Sequence, residues 1–208
     1  MSHALDLVGE RWALLVVREL MYGPKRFTDL RHGLPNASPN VLSQRLRELE
    51  EIGVLRRRRL GPPVGAWAYE LTDWGRGLEP VLLGLSRWGD RSPLRNPEAV
   101  ASPDSLMFAL RSRFDPDADP SLEAAYHLRV GDHAYDVRVV HGAVGVRRGE
   151  PMTSDAVVDV DVVTFRDLVH GRTSTGEAMS AGCLHVTGEA KAVERLFSAA
   201  AGAPAARP

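Results

Sequence analysis

Ser38-Pro-Asn-Val-Leu-Ser-Gln-Arg-Leu-Arg-Glu-Leu-Glu-Glu-Ile-Gly53 is a short helix with both ends written into its sequence. Ser38 is a good N-cap, Pro39 stands where a missing N–H costs nothing, and Gly53 closes the helix as a left-handed residue. Leu42, Leu46 and Leu49, flanked by Val41 and Ile52, recur at three- and four-residue spacing and form a stripe for a core. The opposite face carries Asn40, Ser43, Gln44 and Arg47. These side chains can read base edges: Asn and Gln pair with adenine, Arg with guanine, Ser with either. Alone, the stretch fits an ordinary amphipathic surface helix equally well.

The residues after Gly53 favour a recognition helix. Val54-Leu55 runs into Arg56-Arg57-Arg58-Arg59, then a Gly/Pro loop from Leu60 to Ala66, then Trp67-Ala-Tyr-Glu-Leu71. Two β-prone runs joined by such a loop predict a hairpin with a cationic edge. Beside a polar-faced helix, this wing can clamp phosphates, which supplies affinity and register but little sequence information. Arg56, Arg57, Arg58 and Arg59 are the wing cations. Lys25, Arg26 and Ser38 are further phosphate candidates.

Charge divides the 208-residue chain. Its formal net charge is −1, but residues 1–92 hold 14 Lys/Arg against 11 Asp/Glu, and residues 93–208 hold 12 against 16. A basic first half and an acidic second half assign any nucleic-acid contact to the first. All four tryptophans, Trp12, Trp67, Trp74 and Trp88, also fall there. With Cys183 the only cysteine, no intrachain disulfide or cysteine-based zinc site can form. No long apolar run or signal-peptide layout is evident, so the expectation is a cytoplasmic protein that does not enter a membrane.

In chain order, Leu5, Val8, Trp12, Leu15, Val16 and Leu20 predict one core helix from His3 to Tyr22, stopped by Gly23-Pro24. Phe27 to Leu34 is a second helix with Thr28 as its candidate cap, and with the Ser38 helix it makes a helix-turn-helix pair. After the hairpin, Thr72 can cap a helix from Asp73 to about Arg91 with Leu78, Val81, Leu82, Leu85 and Trp88 on one side. A monomer could bury that stripe internally. Dimerisation would bury it too, and would pair two recognition helices across a two-fold axis.

The segments Ala4-Leu-Asp-Leu-Val-Gly-Glu-Arg-Trp12, Gly23-Pro-Lys-Arg-Phe27, Leu42-Ser-Gln-Arg-Leu-Arg-Glu-Leu49 and Tyr69-Glu-Leu-Thr72 resemble, in order and spacing, the HxlR family of winged-helix transcription regulators. The likeness covers about residues 3 to 90. It implies a dimeric regulator of double-stranded DNA acting on a roughly two-fold symmetric operator. Many members carry a cysteine just before the first helix, which some use to sense oxidants or electrophiles. Met1-Ser2-His3 has none, which disfavours a thiol switch in this domain.

The organisation expected is a DNA-binding and dimerisation domain over residues 1–92, a Pro-bearing linker over 93–104, a second domain over 105–202 and a frayed tail over 203–208. The second domain opens with a Ser102-Pro103 helix through Phe114. Alternating runs then predict antiparallel hairpins at 124–130, 135–140 and 144–147. A strand over Ala156–Val163, a helix capped by Thr164 and running to Val169, a helix over Thr175–Ala181, a strand over Leu184–Thr187 and a helix over Glu189–Ala200 complete it. The class is α+β with a mainly antiparallel sheet. Asp159-Val-Asp161, Phe165-Arg-Asp-Leu168 with Gly171, and Leu184-His-Val-Thr-Gly-Glu189 resemble the sterol-carrier-protein-like fold. That resemblance implies an apolar tunnel for a hydrophobic small-molecule effector, for which Leu106, Leu110, Phe114, Val137, Val139, Phe165, Leu168 and Met179 are the lining candidates. A fold kept only as an oligomerisation surface is the plainer alternative.

No phosphate-binding glycine loop, nucleophile elbow or zinc-protease motif occurs, so no catalytic residue, cofactor or metal is assigned. His127, His133 and His141 lack ligand spacing, Asp159 and Asp161 fit one solvent face of a strand, and Cys183 fits a small buried apolar residue. The function expected is a ligand-responsive homodimeric DNA-binding transcription regulator and not an enzyme. The rival is a carrier of lipids or other hydrophobic ligands whose N-terminal domain serves dimerisation, but a carrier gives no reason for four arginines beside a polar-faced helix.

Overall fold

The structure is a computed structural model describing residues 1–61, 65–94 and 101–202. The chain forms two compact units, Met1–Leu85 and Ser86–Pro208. Part of the expected linker, residues 95–100, and the expected frayed tail, residues 203–208, lie outside the described residues.

The first unit contains α1 (Ser2–Val8), α2 (Ala13–Glu19), α3 (Phe27–Gly33), α4 (Pro39–Glu51), β1 (Leu55–Arg59), β2 (Trp67–Leu71), α5 (Asp73–Arg76) and the start of α6 (Glu79–Asp90). The Ser38–Gly53 stretch is α4 with its caps: Ser38 Oγ accepts from Val41 N at 3.4 Å, and Gly53 turns out of the helix at φ +76°. Leu42, Leu46 and Leu49 are buried with Val16, Val17, Leu20 and Leu30 in the core. Burying each leucine contributes about 1.5–3 kcal/mol. β1 and β2 pair antiparallel, from Leu55 opposite Leu71 to Arg59 opposite Trp67, and Lys25 adds a short antiparallel bridge to Tyr69.

Two helices expected to be continuous are broken. Between α1 and α2 the Gly9 N–H bonds back to Leu5 O, and Trp12 restarts the chain in the left-handed region at φ 77°. The apolar spacing continues across this break, which hides it from periodicity. After the wing, α5 stops at Gly77 and α6 begins at Glu79. Thr72 does cap α5, accepting from Gly75 N at 3.1 Å while its hydroxyl donates to Gly53 O at 2.7 Å. Gly75 must lack a side chain there, because a Cβ would lie 2.0 Å from Val54 O. The cap of α3 is Arg26 and not Thr28: Asp29 Oδ2 accepts from Arg26 N at 3.0 Å.

The second unit contains α7 (Pro103–Arg113), β3 (Ala124–Val130), β4 (His133–Val140), β5 (Ala143–Arg148), β6 (Ala156–Val160), α8 (Val162–Val169), α9 (Thr175–Ser180), β7 (Leu184–Gly188) and α10 (Ala190–Ala201). The sheet order is β5-β4-β3-β6-β7. It is mixed, which corrects the mainly antiparallel expectation. After β5 the chain returns to the far side of β3 and β6 enters parallel to it, Tyr126 opposite Ala156 and Val130 opposite Val160. The strand expected to reach Val163 stops at Val160. Asp161 caps α8 by accepting from Val163 N and Thr164 N at 2.8 and 2.9 Å, and so does not lie on a strand face, while Thr164 donates its hydroxyl to the same carboxylate.

One sheet face is the core. Tyr126, Leu128, Tyr135, Val137, Val139 and Val158 are fully buried, and Tyr126 ties β3 to α10 through a hydrogen bond from its hydroxyl to Ala192 O at 3.0 Å. Phe165 meets Phe197 edge-on with centroids 5.8 Å apart. Arg113 donates to Val169 O and Ala201 O at 3.0 Å each, so one guanidinium satisfies the last carbonyls of α8 and α10. Buried Asp104 accepts from the Tyr135 hydroxyl at 2.6 Å and from Arg148. Burial, then the Asp104 charge, push the Tyr135 phenol well above its ordinary value, so it remains a donor.

Candidate nucleic-acid interface

With its leucines inward, α4 turns Asn40, Gln44 and Arg47 to solvent, and Ser43 is half-buried on the same side. The row is already organised by its own hydrogen bonds. Arg47 Nη2 donates to Gln44 Oε1 at 2.5 Å, and Gln44 Nε2 donates to Glu48 Oε1 at 2.7 Å. These bonds extend the long side chains along the helix. Arg45 faces away from this row. It pairs with Glu48 and, at 3.4 Å, with Glu10 in the turn between α1 and α2.

The wing arginines split by strand alternation. Arg56 Nε and Arg58 Nη1 donate to the two oxygens of Glu70 at 2.8 and 2.9 Å. Burial favours the neutral acid, but the bonds from Arg56 and Arg58 outweigh it and hold Glu70 below its ordinary value. On the other face the Arg57 guanidinium carbon lies 5.6 Å from the ring centroids of both Trp67 and Tyr69, and Arg59 Nε donates to Gly65 O at 3.1 Å. Sequence reasoning does not single out Glu70, Trp67 or Tyr69 as functional. The hairpin register contains the signal, since Arg56 lies opposite Glu70 and Arg57 opposite Tyr69.

Among the phosphate candidates before the wing, Ser38 is the exposed N-cap of α4, and Arg26 is exposed but engages Asp29 through two further bonds at 3.0 and 2.9 Å. Lys25 corrects the expectation. It is only 5% exposed, and its ammonium donates to fully buried Glu19 at 2.6 Å, which Arg18 also contacts at 2.9 Å. A buried carboxylate needs such partners, so Lys25 belongs to the core.

Along α6, Val81, Leu85 and Trp88 are exposed by 51, 45 and 71%, whereas Leu82 is buried. Leu78 is half-buried and lines an apolar cleft of about 240 Å³ with Ala4, Leu7, Val8, Val54 and Trp74. An exposed row containing a tryptophan exceeds the scattered apolar residues ordinary on a surface.

In the second unit a groove of about 750 Å³ runs between α10 and the segment from α8 into α9. Leu168 and Met179 line it, with Phe197 and a rim that includes Arg172, Lys191 and Glu194. Leu106, Leu110, Phe114, Val137, Val139 and Phe165, the other lining candidates, pack as buried core between helices and sheet. Cys183 is exposed, not buried as expected, because it follows the α9 turn and precedes β7. His133 stacks on Tyr135, His127 is buried with Nε2 lacking a hydrogen-bond partner, and His141 lies 3.2 Å from Glu123. Among the described residues no group of three His, Cys, Asp or Glu side chains could hold a metal ion.

Two helices joined by a tight turn, the second presenting a polar row, followed by a basic hairpin, define a winged helix-turn-helix. Residues 7–96 match the HxlR-like helix-turn-helix family. The chain is similar to the HTH-type transcriptional regulator YvaP of Bacillus subtilis, 41% identical over 85 residues, covering 41% of this chain and 79% of YvaP. It is also similar to the HTH-type transcriptional regulator YodB of Bacillus subtilis, 35% identical over 91 residues, covering 44% of this chain and 81% of YodB. The solved structure of the reduced form of YodB aligns at TM-score 0.41 and 34% identity, covering 45% of this chain and 92% of that one. With most of YvaP and of YodB matched at these identities, the chain belongs to the HxlR-like helix-turn-helix family. Among the described residues no helix is long and apolar enough to cross a membrane.

Proposed function

We propose that the protein is a sequence-specific DNA-binding transcription regulator that works as a homodimer on an inverted repeat. The observation that carries this reading is the polar row of exposed Asn40, Gln44 and Arg47 with half-buried Ser43, on a helix fixed from behind by three buried leucines and followed directly by a four-arginine hairpin. In this reading α4 enters the major groove and its row reads bases. Arg26, Ser38 and the wing arginines hold the backbone. Val81, Leu85 and Trp88 form the dimer seam together with Leu78, and residues 1–92 act as the DNA-binding and dimerisation domain.

Selection of bound duplexes from random DNA by the full-length protein tests this, repeated with Arg47→Ala. The expected result is an inverted-repeat motif for the wild type. The variant should lose about 1–3 kcal/mol on that site with relaxed choice at one position. Salt-sensitive binding without an enriched motif would refute sequence-specific recognition.

The second unit, over residues 105–202, is read as a sterol-carrier-like effector domain whose hydrophobic ligand enters the groove at Leu168, Met179 and Phe197. The groove itself is what supports this reading, since Leu168 and Met179 line it with Phe197, while the other six lining candidates fill the core and take no part in it. A ligand shifts operator affinity only by binding two arrangements of the dimer unequally, typically with a coupling of about 1–3 kcal/mol. Saturable binding of an apolar fluorophore in the groove, with operator affinity unchanged, would favour the carrier alternative.

A further inference from the structure

The four wing arginines differ in what they have left to offer. Arg56 and Arg58 spend hydrogen-bond donors on Glu70, and their charge is partly cancelled. Arg57 is held by ring faces, its guanidinium carbon 5.6 Å from the centroids of Trp67 and Tyr69. Stacking restricts the side chain without using its N–H groups, so the guanidinium stays charged, extended and able to donate. Trp67 itself is 59% exposed at the loop end of the hairpin, and Arg59, which shares this face, lies directly across from it. Among the described residues of the hairpin, one face is therefore an indole beside two cations without a carboxylate partner, and the other is partly neutralised around a buried glutamate.

We infer that Trp67 and Arg57 together read the minor groove flanking the half-site. The inference rests on the DNA-binding reading above. Of the wing arginines assigned above to the backbone, Arg57 turns its guanidinium into the groove instead, and the Trp67 indole packs on the deoxyribose wall and keeps Arg57 extended from behind. The groove floor offers only acceptors at A·T pairs and adds the guanine amino group at G·C pairs. A-tracts narrow the groove and deepen its negative potential, which attracts an inserted arginine, and minor-groove binders commonly set an apolar side chain beside such a cation. Direct contact with Trp67 would make it a specificity determinant for flank composition. Phosphate contacts by Arg56 and Arg58 would act on all flanks alike.

The test uses the full-length protein and duplexes with the selected half-sites and three flanks: an A-tract, G·C pairs, and inosine·cytosine pairs. Inosine lacks the guanine 2-amino group, so it presents the minor groove of an A·T pair and the major groove of a G·C pair. The wild type should bind the A-tract and inosine flanks about three- to ten-fold more tightly than the G·C flank. Trp67→Ala and Arg57→Ala should abolish that ratio, Trp67→Phe should retain part of it, and Arg56→Ala should weaken all three duplexes equally. Equal thermal midpoints for Trp67→Phe and wild type keep the comparison independent of folding. The inference is overturned if inosine flanks behave like G·C flanks, if Trp67→Ala keeps the full ratio, or if Trp67→Ala weakens every flank by one factor. It is also overturned by preferential binding of single-stranded DNA, which would make Trp67 a base-stacking platform. A wild type that selects no duplex would instead remove the reading beneath it.

Discussion

Replacing Lys25 by Met separates a core lysine from a DNA-binding one. The side chain is 5% exposed, its ammonium lies 2.6 Å from fully buried Glu19, and the methionine chain can fill the same volume. Removing one partner from a buried pair typically costs about 3–5 kcal/mol, because the other charge is stranded. Arg18 stays 2.9 Å from the Glu19 carboxylate, so the loss should be reduced to about 2–3 kcal/mol. For a unit of this size each kcal/mol moves the midpoint by about 4–8 °C, giving a fall of roughly 8–24 °C. Thermal unfolding followed by tryptophan fluorescence reads this, since Trp12, Trp67 and Trp74 all lie in the first unit. DNA binding by the folded variant, measured at several salt concentrations, should keep the wild-type slope of log K against log salt. A midpoint within about 2 °C of wild type, together with a slope shallower by about 0.9, would mean that Lys25 neutralises a phosphate and would refute the buried-pair argument.

Glu70→Gln removes one negative charge shared by two arginines, so binding to random duplex at low salt should tighten and the salt slope should steepen by about 0.9. A shallower slope in fluorescence anisotropy would mean that Glu70 helps deliver Arg56 and Arg58 instead of restraining them. Leu85→Arg places a charge in the exposed row of α6 and should halve the sedimenting mass and weaken operator binding; an unchanged sedimentation profile would place the seam elsewhere. Hydrogen bonds from Arg195, and less so from Ser121, lower the Asp119 carboxyl from 3.8 to about 2. Because the folded value is depressed, this stabilisation is present above about pH 4 and is lost as pH falls towards 2. Asp119→Asn should therefore flatten the loss of stability of the second unit between those values, and an identical acid limb in circular-dichroism melts would exclude the pair from acid unfolding.

The helix-turn-helix and wing are legible in the sequence because their signals are local. Ser38, Pro39 and Gly53 act on their immediate neighbours, and four arginines before a Gly/Pro loop do not need a partner to declare a hairpin. The break at Gly9–Trp12 is invisible there because Leu5, Val8 and Trp12 keep helical spacing through a turn that depends on one positive φ. Asp161 reads as part of a strand because Ala156-Val-Val-Asp-Val-Asp161 alternates to its end, and only the bonds to Val163 N and Thr164 N reveal a cap. The parallel pairing of β3 with β6 and the burial of Lys25 are long-range outcomes that no window of sequence holds. Within the candidate site, the polar row of α4 follows from periodicity. The division of the wing arginines between Glu70 and the rings needs the register, which a strand sequence fixes only once its partner is aligned.

The turn that leaves Cys183 exposed has a practical consequence. Because it is the only sulfhydryl in 208 residues, a maleimide dye would attach at a single defined position. That position lies four residues beyond Met179, which lines the groove of the second unit, and far along the chain from the α4 row and the wing. An environment-sensitive label there would report whether a small molecule enters the groove while the α4 row and the wing stay chemically untouched, so groove filling and DNA binding could be tested in one cuvette as two separate signals.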